Sequence, residues 1–341
     1  MTTSAMAAPS EPAASVKKVS PKKVVSKKTA QTKSAKRVVK KTPAKVVKAK
    51  ANTKRVKRPL RRVVRRSAPS EATLAGLRKT PDPLVLSSSV AYVVDQNTGE
   101  ELFTKNAGVT LPIASVTKLM TALVVAESQL PMQQKIKITR GDYVRSHASS
   151  KLRSGMVMTR EAVLKAALMS SDNRAAHALA RTYPGGMKVF LQKMNETAQR
   201  LGMSDSFFAD PTGLDNRNHS TARDLAKLVS AANEYAQIRN ASTLPVAKLR
   251  AGRSTINLHT TNRLIGDPTW KIGVQKTGFT TAAGRCMVLQ TDLGDRSVVM
   301  VLLDSPNSAQ RATDMRTMRN YVTSKESFDK SFSAATPYEM F

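Results

Sequence analysis

From residue 87 onward the apolar positions recur with two distinct periods. Val90, Tyr92 and Val94 fall on alternate positions, Asn97-Thr98-Gly99 supplies a turn, and Leu102 and Phe103 open a return strand, which predicts a hairpin. Val116, Leu119, Met120, Leu123 and Val124 then follow helical spacing and predict a buried helix over 115–128. Further helices are predicted over 161–169, 173–182, 187–201 and 221–235. Gly202 stops the third of these, and Thr221 with Asp224 has the spacing of a capping box, Asp replacing the usual Glu. Alternation returns over 255–259, 273–279, 285–291 and 297–303, with Gly294-Asp295 as a tight turn between the last two strands, and a closing helix is predicted over 309–322. A strand pair, a helical middle, more strands and a final helix predict an α/β (α+β) fold. Its antiparallel sheet is flanked by helices and carries an inserted helical subdomain.

The first 66 residues follow neither period. They hold 22 Lys and Arg against the single acid Glu11, about +21 of the chain's formal +32, and no Phe, Tyr, Trp, Ile or Cys. Such a segment cannot bury enough apolar surface to offset chain entropy, so a disordered basic arm is expected over 1–66. Its Lys doublets, at Lys17-Lys18, Lys22-Lys23 and Lys27-Lys28, suit a polyanion bound through counterion release. A solvated spacer is the alternative. Nothing in the arm reads bases, since no aromatic residues interleave with the charges, which disfavours nucleic acid as a partner. Residues 67–86, with Pro69, Pro81 and Pro83, are expected to form a linker, residues 87–323 the folded domain and residues 324–341 a C-terminal tail.

Composition narrows the class further. Cys286 is the one cysteine, which excludes a disulfide framework within the chain and a thiolate-built zinc site. His147, His177, His219 and His259 lack metal-ligand spacing, and Cys286 reads as a packed small residue. Purely apolar runs such as 122–126 and 298–303 fall far below the ~18 residues of a membrane span. Ala5-Met6-Ala7 matches the end of a signal peptide, yet only four residues precede it and no apolar segment does.

Three short motifs carry chemistry. Ser115-Val116-Thr117-Lys118 places Ser and Lys on one face of a helix start, where a desolvated Lys can take the hydroxyl proton. The same spacing at Ser15/Lys18, Ser20/Lys23 and Ser327/Lys330 shows that the pattern alone decides nothing. Ser171-Asp172-Asn173 lies between two predicted helices and is equally a helix cap. Lys276-Thr277-Gly278 lies on a predicted strand, where Gly admits a ligand to the backbone while Lys and Thr offer a charge and a hydroxyl to a carboxylate.

Together, in this order, the three form the set shared by penicillin-binding proteins and class A β-lactamases. Over roughly 87–322 the chain resembles the low-molecular-mass D-alanyl-D-alanine peptidases. Leu111-Pro112-Ile113-Ala114 before Ser115, Arg174-Ala175 after Asn173, Asp210-Pro211-Thr212-Gly213-Leu214, Ser220-Thr221-Ala222-Arg223-Asp224-Leu225 and Phe279-Thr280 resemble most the D-alanyl-D-alanine endopeptidase branch, the penicillin-binding protein 7 type. The arm lies outside the resemblance.

The resemblance implies a transpeptidase-like fold and an acyl-enzyme mechanism without cofactor or metal. Ser115 is implied as nucleophile, Lys118 as general base and Ser171 as proton relay to the leaving amine. The backbone N–H groups of Ser115 and Phe279 are implied as the oxyanion hole. Asn173, Lys276, Thr277 and Gly278 are implied in substrate binding, with Asn173 also orienting Lys118. It further implies peptidoglycan as substrate, β-lactam antibiotics as acylating inhibitors and a periplasmic site of action. The arm's partner there would be an anionic lipid, lipopolysaccharide or wall polymer. A β-lactamase is disfavoured because no E-x-x-L-N sequence occurs between Ser171 and Lys276. A D,D-carboxypeptidase stays open as the near alternative. A basic polyanion-binding protein on a peptidase-like scaffold is the alternative of a different class, against which the complete motif set argues.

Overall fold

The computed structural model describes residues 68–334 except His147 and Arg253. The basic arm over 1–66 and residues 335–341 of the tail lie outside the described residues. The described residues open with α1 (Glu71–Leu74), the hairpin β1 (Val90–Asp95) and β2 (Glu101–Lys105), and the short β3 (Leu111–Pro112). The helical middle comprises α2 (Thr117–Glu127), β4 (Lys135–Lys137), β5 (Val157–Thr159), α3 (Arg160–Met169), α4 (Asn173–Arg181), α5 (Gly186–Arg200), β6 (His219–Ser220), α6 (Ala222–Asn233) and α7 (Ala236–Ser242). The hairpin β7 (Val246–Ala251) and β8 (Ser254–His259) precedes the long strands β9 (Lys271–Thr280), β10 (Gly284–Leu293) and β11 (Arg296–Ser305), and α8 (Ser308–Ala334) closes the fold.

Five strands form one antiparallel sheet in the order β2-β1-β11-β10-β9. The sheet is covered on both faces, which is why residues 298–303 read as an unbroken apolar run. Val299, Val301 and Leu303 join Val90 and Tyr92 in the core under the helical middle. Val298, Met300 and Leu302 join Ala91 and Val93 against Met315, Met318 and Val322 of α8. Each fully buried side chain of this kind contributes about 1.5–3 kcal/mol. Cys286 is fully buried in the first of these cores, as a packed small residue, and burial pushes its thiol up to about 12.

Residues 70–86, expected as linker, are instead packed structure. Ser70 caps α1 by accepting from Thr73 N–H, and its hydroxyl donates to Asp304 Oδ1 at 2.6 Å. Glu71 N–H donates to Ala282 O at 2.9 Å, tying α1 to the turn between β9 and β10. Asp82, between Pro81 and Pro83, pairs with Lys105 of β2 at 2.8 Å, both side chains almost wholly buried. Burial alone would raise the Asp82 pKa. The Lys105 hydrogen bond and charge and the N–H groups of Leu86 and Leu84 reverse this and lower it. The prolines that suggest a linker therefore stiffen a loop held by distant partners.

Two other local readings change. The tail's first part, from residue 324 to Ala334, continues α8. In the capping box, Thr221 accepts from Asp224 N–H, but the Asp224 carboxylate turns to Asp205 N–H and the Ser206 hydroxyl. Asp, one methylene shorter than Glu, here braces the neighbouring loop.

Candidate active site

Ser115 sits in a 3₁₀ turn, Ala114–Val116, that leads directly into α2. The turn is made by Ala114 at φ 47°, a left-handed conformation that costs a non-glycine residue about 1–2 kcal/mol. Two glycines make room for it. A Cβ on Gly213, itself at φ +78°, would fall 1.8 Å from Ala114 O, and one on Gly278 would meet Ile113 O at 3.0 Å and Ser115 N at 3.1 Å. The turn is thus wedged between the loop carrying Gly213 and strand β9.

One helical turn on, Lys118 is fully buried. Its Nζ lies 2.8 Å from Ser115 Oγ, 2.7 Å from Asn173 Oδ1 and 2.7 Å from Thr212 O. Burial brings its pKa down to about 7, with the charges of Asp210 and Asp172 opposing the fall. The Thr212 carbonyl is aimed by a buried network. Asp210 accepts from the N–H groups of Thr212, Gly213 and Asp215, Asn218 Nδ2 donates to Asp210 Oδ1 and Thr117 Oγ1, and Thr121 Oγ1 donates to Pro211 O. Residues 210–214 match the resembled family in sequence, which by itself assigns them no role. A backbone carbonyl leaves no signature in residue identity.

Ser171 also adopts a left-handed backbone, φ 58°, in the break between α3 and α4. Asp172 caps α4 by accepting from Arg174 and Ala175 N–H, and the Ser150 hydroxyl and Lys151 N–H also donate to it. The cap and the site are therefore one structure: capping by Asp172 fixes Ser171 before it and Asn173 after it. Asn173 uses its oxygen on Lys118 and donates from Nδ2 to Ser146 Oγ at 3.2 Å.

Strand β9 delivers the third motif. Lys276 is fully buried and donates to Ser171 Oγ at 2.9 Å and to Thr277 O at 2.6 Å. Burial first, then the positive charges of Lys118 and Arg311, hold its pKa well below that of an ordinary lysine. Thr277 Oγ1 lies 2.7 Å from Thr261 Oγ1, and Phe279 leaves its ring half exposed.

All eight sequence-derived site residues converge. Ser115, Ser171, Asn173, Thr277, Gly278 and Phe279 line one cavity of about 920 Å³, and Lys118 and Lys276 lie beneath it. The same cavity is lined by residues outside the three motifs, notably Tyr143, Ser146, Thr261 and Arg311. Burial lowers the Arg311 pKa to about 10, Arg285 and Arg263 adding to the fall. Arg311 puts a second cation beside Lys276. Of the histidines, His177 shares Asp142 with Arg181, and His219 stacks on Phe207. His147 lies outside the described residues.

A model of the peptidase S11 family, described as D-alanyl-D-alanine carboxypeptidase, matches residues 78–307. The D-alanyl-D-alanine endopeptidase of Pseudomonas aeruginosa is 40% identical over 240 residues, covering 70% of this chain and 77% of that protein. The D-alanyl-D-alanine endopeptidase of Escherichia coli K12 is 36% identical over 264 residues, covering 75% and 83%. Among solved structures, the Streptomyces K15 DD-transpeptidase superposes with a TM-score of 0.66 at 28% identity, covering 72% of this chain and 99% of that one. Every motif residue of the cleft, from Ser115 to Phe279, falls inside the span matched by the family model, and the chain accordingly belongs to the peptidase S11 family, the serine D-alanyl-D-alanine peptidases.

Proposed function

We propose that this enzyme cleaves D-alanyl peptide cross-links of peptidoglycan through an acyl-enzyme on Ser115, outside the cytoplasmic membrane where that polymer lies. The observation that carries the reading is the three-oxygen surround of the Lys118 amine. Two of those oxygens, on Asn173 and Thr212, are carbonyls that only accept. A neutral amine has two N–H groups for them and one lone pair left, which faces the Ser115 hydroxyl. That is the arrangement of a general base on its nucleophile.

Ser115 Oγ adds to the carbonyl carbon of the D-alanyl residue as its proton passes to Lys118. The oxyanion is held by the N–H groups of Ser115 and Phe279, next to the positive end of α2. The C–N bond then breaks, and the leaving nitrogen takes a proton through the Ser171 hydroxyl, the Lys118 ammonium being the net donor. Water adds to the ester, gives a proton to Lys118, and Ser115 leaves with that proton, restoring the enzyme. Lys276 and Thr277 hold the substrate carboxylate, whose charge relieves the repulsion between Lys276 and Arg311. Gly278 lets the substrate lie close to the strand, and Asn173 has one amide hydrogen left for it.

Both curated relatives described above are named endopeptidases, which supports cross-link cleavage over carboxypeptidase trimming. Mass spectrometry of muropeptide digests tests this. Conversion of cross-linked dimers to monomers is expected. Shortening of pentapeptides with dimers untouched would reassign the enzyme as a carboxypeptidase. The β-lactams are expected to acylate Ser115. The arm over 1–66, with its charge of about +21, is proposed to hold an anionic wall or membrane polymer.

A further inference from the structure

The catalytic cavity carries more positive charge than one carboxylate accounts for. Arg145, Arg285 and Arg311 line it, and among the described residues no Asp or Glu does. Its volume of about 920 Å³ is near the top of the roughly 300–1,000 Å³ that holds a drug-sized ligand, so a D-alanyl pair leaves most of it unfilled. Arg285 reaches the cavity from β10. It pairs in register with Phe279 across β9 and β10, and its guanidinium lies 4.5 Å from the centre of the Phe279 ring. That ring is 51% exposed within the cleft, and among the described residues Arg285 has no carboxylate partner.

Contact with the ring restrains the guanidinium, so less side-chain freedom is lost when an anion binds its N–H fork. The fork matches a carboxylate in a two-point contact. Phe279 directly follows Gly278, so the fork stands beside the strand along which the substrate peptide would run.

We propose that Arg285, seated on Phe279, is a specificity-determining residue that binds a second carboxylate of the substrate peptide, one outside the D-alanyl pair. The proposal rests on the peptidase reading and extends it to the substrate class: an acidic peptide, with two carboxylates read at separate points of one cleft.

The test uses two soluble peptide dimers joined by a D-alanyl cross-link that differ at one side-chain carboxylate of the strand bearing the D-alanyl residue, free in one and amidated in the other. The readout is the ratio of their kcat/KM values, which cancels any general loss of activity. The wild-type chain is expected to favour the free acid by about tenfold, mainly through KM. Arg285→Gln is expected to bring the ratio near one, Arg285→Lys to restore part of it, and Arg285→Glu to invert it. A wild-type ratio of one, or an unchanged ratio in Arg285→Gln, overturns the proposal while leaving the peptidase reading intact. Failure of the wild-type chain to cleave either peptide and to be acylated by penicillin would overturn both.

Discussion

Lys276 Nζ meets Ser171 Oγ at 2.9 Å across 105 positions of sequence, joining the central sheet to the helical middle inside the cleft. The bond engages the serine oxygen as acceptor and leaves its hydroxyl hydrogen free for the leaving nitrogen. Ser171→Ala is therefore expected to lower kcat/KM for peptide cleavage by about 10²-fold or more, with Tm little changed. A steady-state assay beside a thermal melt checks both halves.

Lys118 must be neutral to accept the Ser115 proton, and burial brings its pKa to about 7. The rate of penicillin acylation is expected to rise with pH through about 7 and to level off above it. An unfolded lysine keeps its proton up to about 10.4. Between those values the unfolded chain binds one proton more than the folded chain, so this residue's contribution to stability grows as pH rises across the window. Lys118→Met is expected to abolish acylation and to remove that slope from the stability profile.

Gly213 is required by space and by conformation. At φ +78° with Ala114 O only 1.8 Å from any Cβ, Gly213→Ala is expected to cost about 2–4 kcal/mol and to displace the turn carrying Ser115. Urea unfolding and acylation rates measured on one preparation would show the two losses together. A variant as stable as wild type contradicts the wedge described here.

Much of this site is legible in the sequence because it sits where patterning is strong. Ser115 and Lys118 head an apolar helix, and Lys276 to Gly278 lie on a strand paired with β10, whose other neighbour β11 carries the apolar run over 298–303. Other parts leave no such mark. The third oxygen around Lys118 is the Thr212 carbonyl, and Arg311 reaches the cleft from α8, which follows the last motif by some thirty positions. The β7 strand buries only Leu249 and Ala251, too few positions to show a period. Residues 70–86 look like a linker because prolines are local signals, whereas the contacts of Asp82 with Lys105 and of Ser70 with Asp304 are not.

That last contrast separates a truncation from a substitution. Removing residues 1–66 is expected to leave cleavage of soluble muropeptides intact and to weaken low-salt binding to sacculi. Asp82→Asn leaves Lys105 buried without its counter-charge and is expected to cost about 3–5 kcal/mol. Cosedimentation with sacculi at two salt concentrations reads the first effect and chemical denaturation the second. Sacculus binding that is unchanged without the arm would remove its tethering role.

Acylation by penicillin, mapped by mass spectrometry of the digested protein, tests the central claim most directly. The expected result is one adduct on the peptide containing Ser115, with none formed by Ser115→Ala. An adduct on another residue, or an undiminished adduct in Ser115→Ala, would contradict the assignment of Ser115 as the nucleophile.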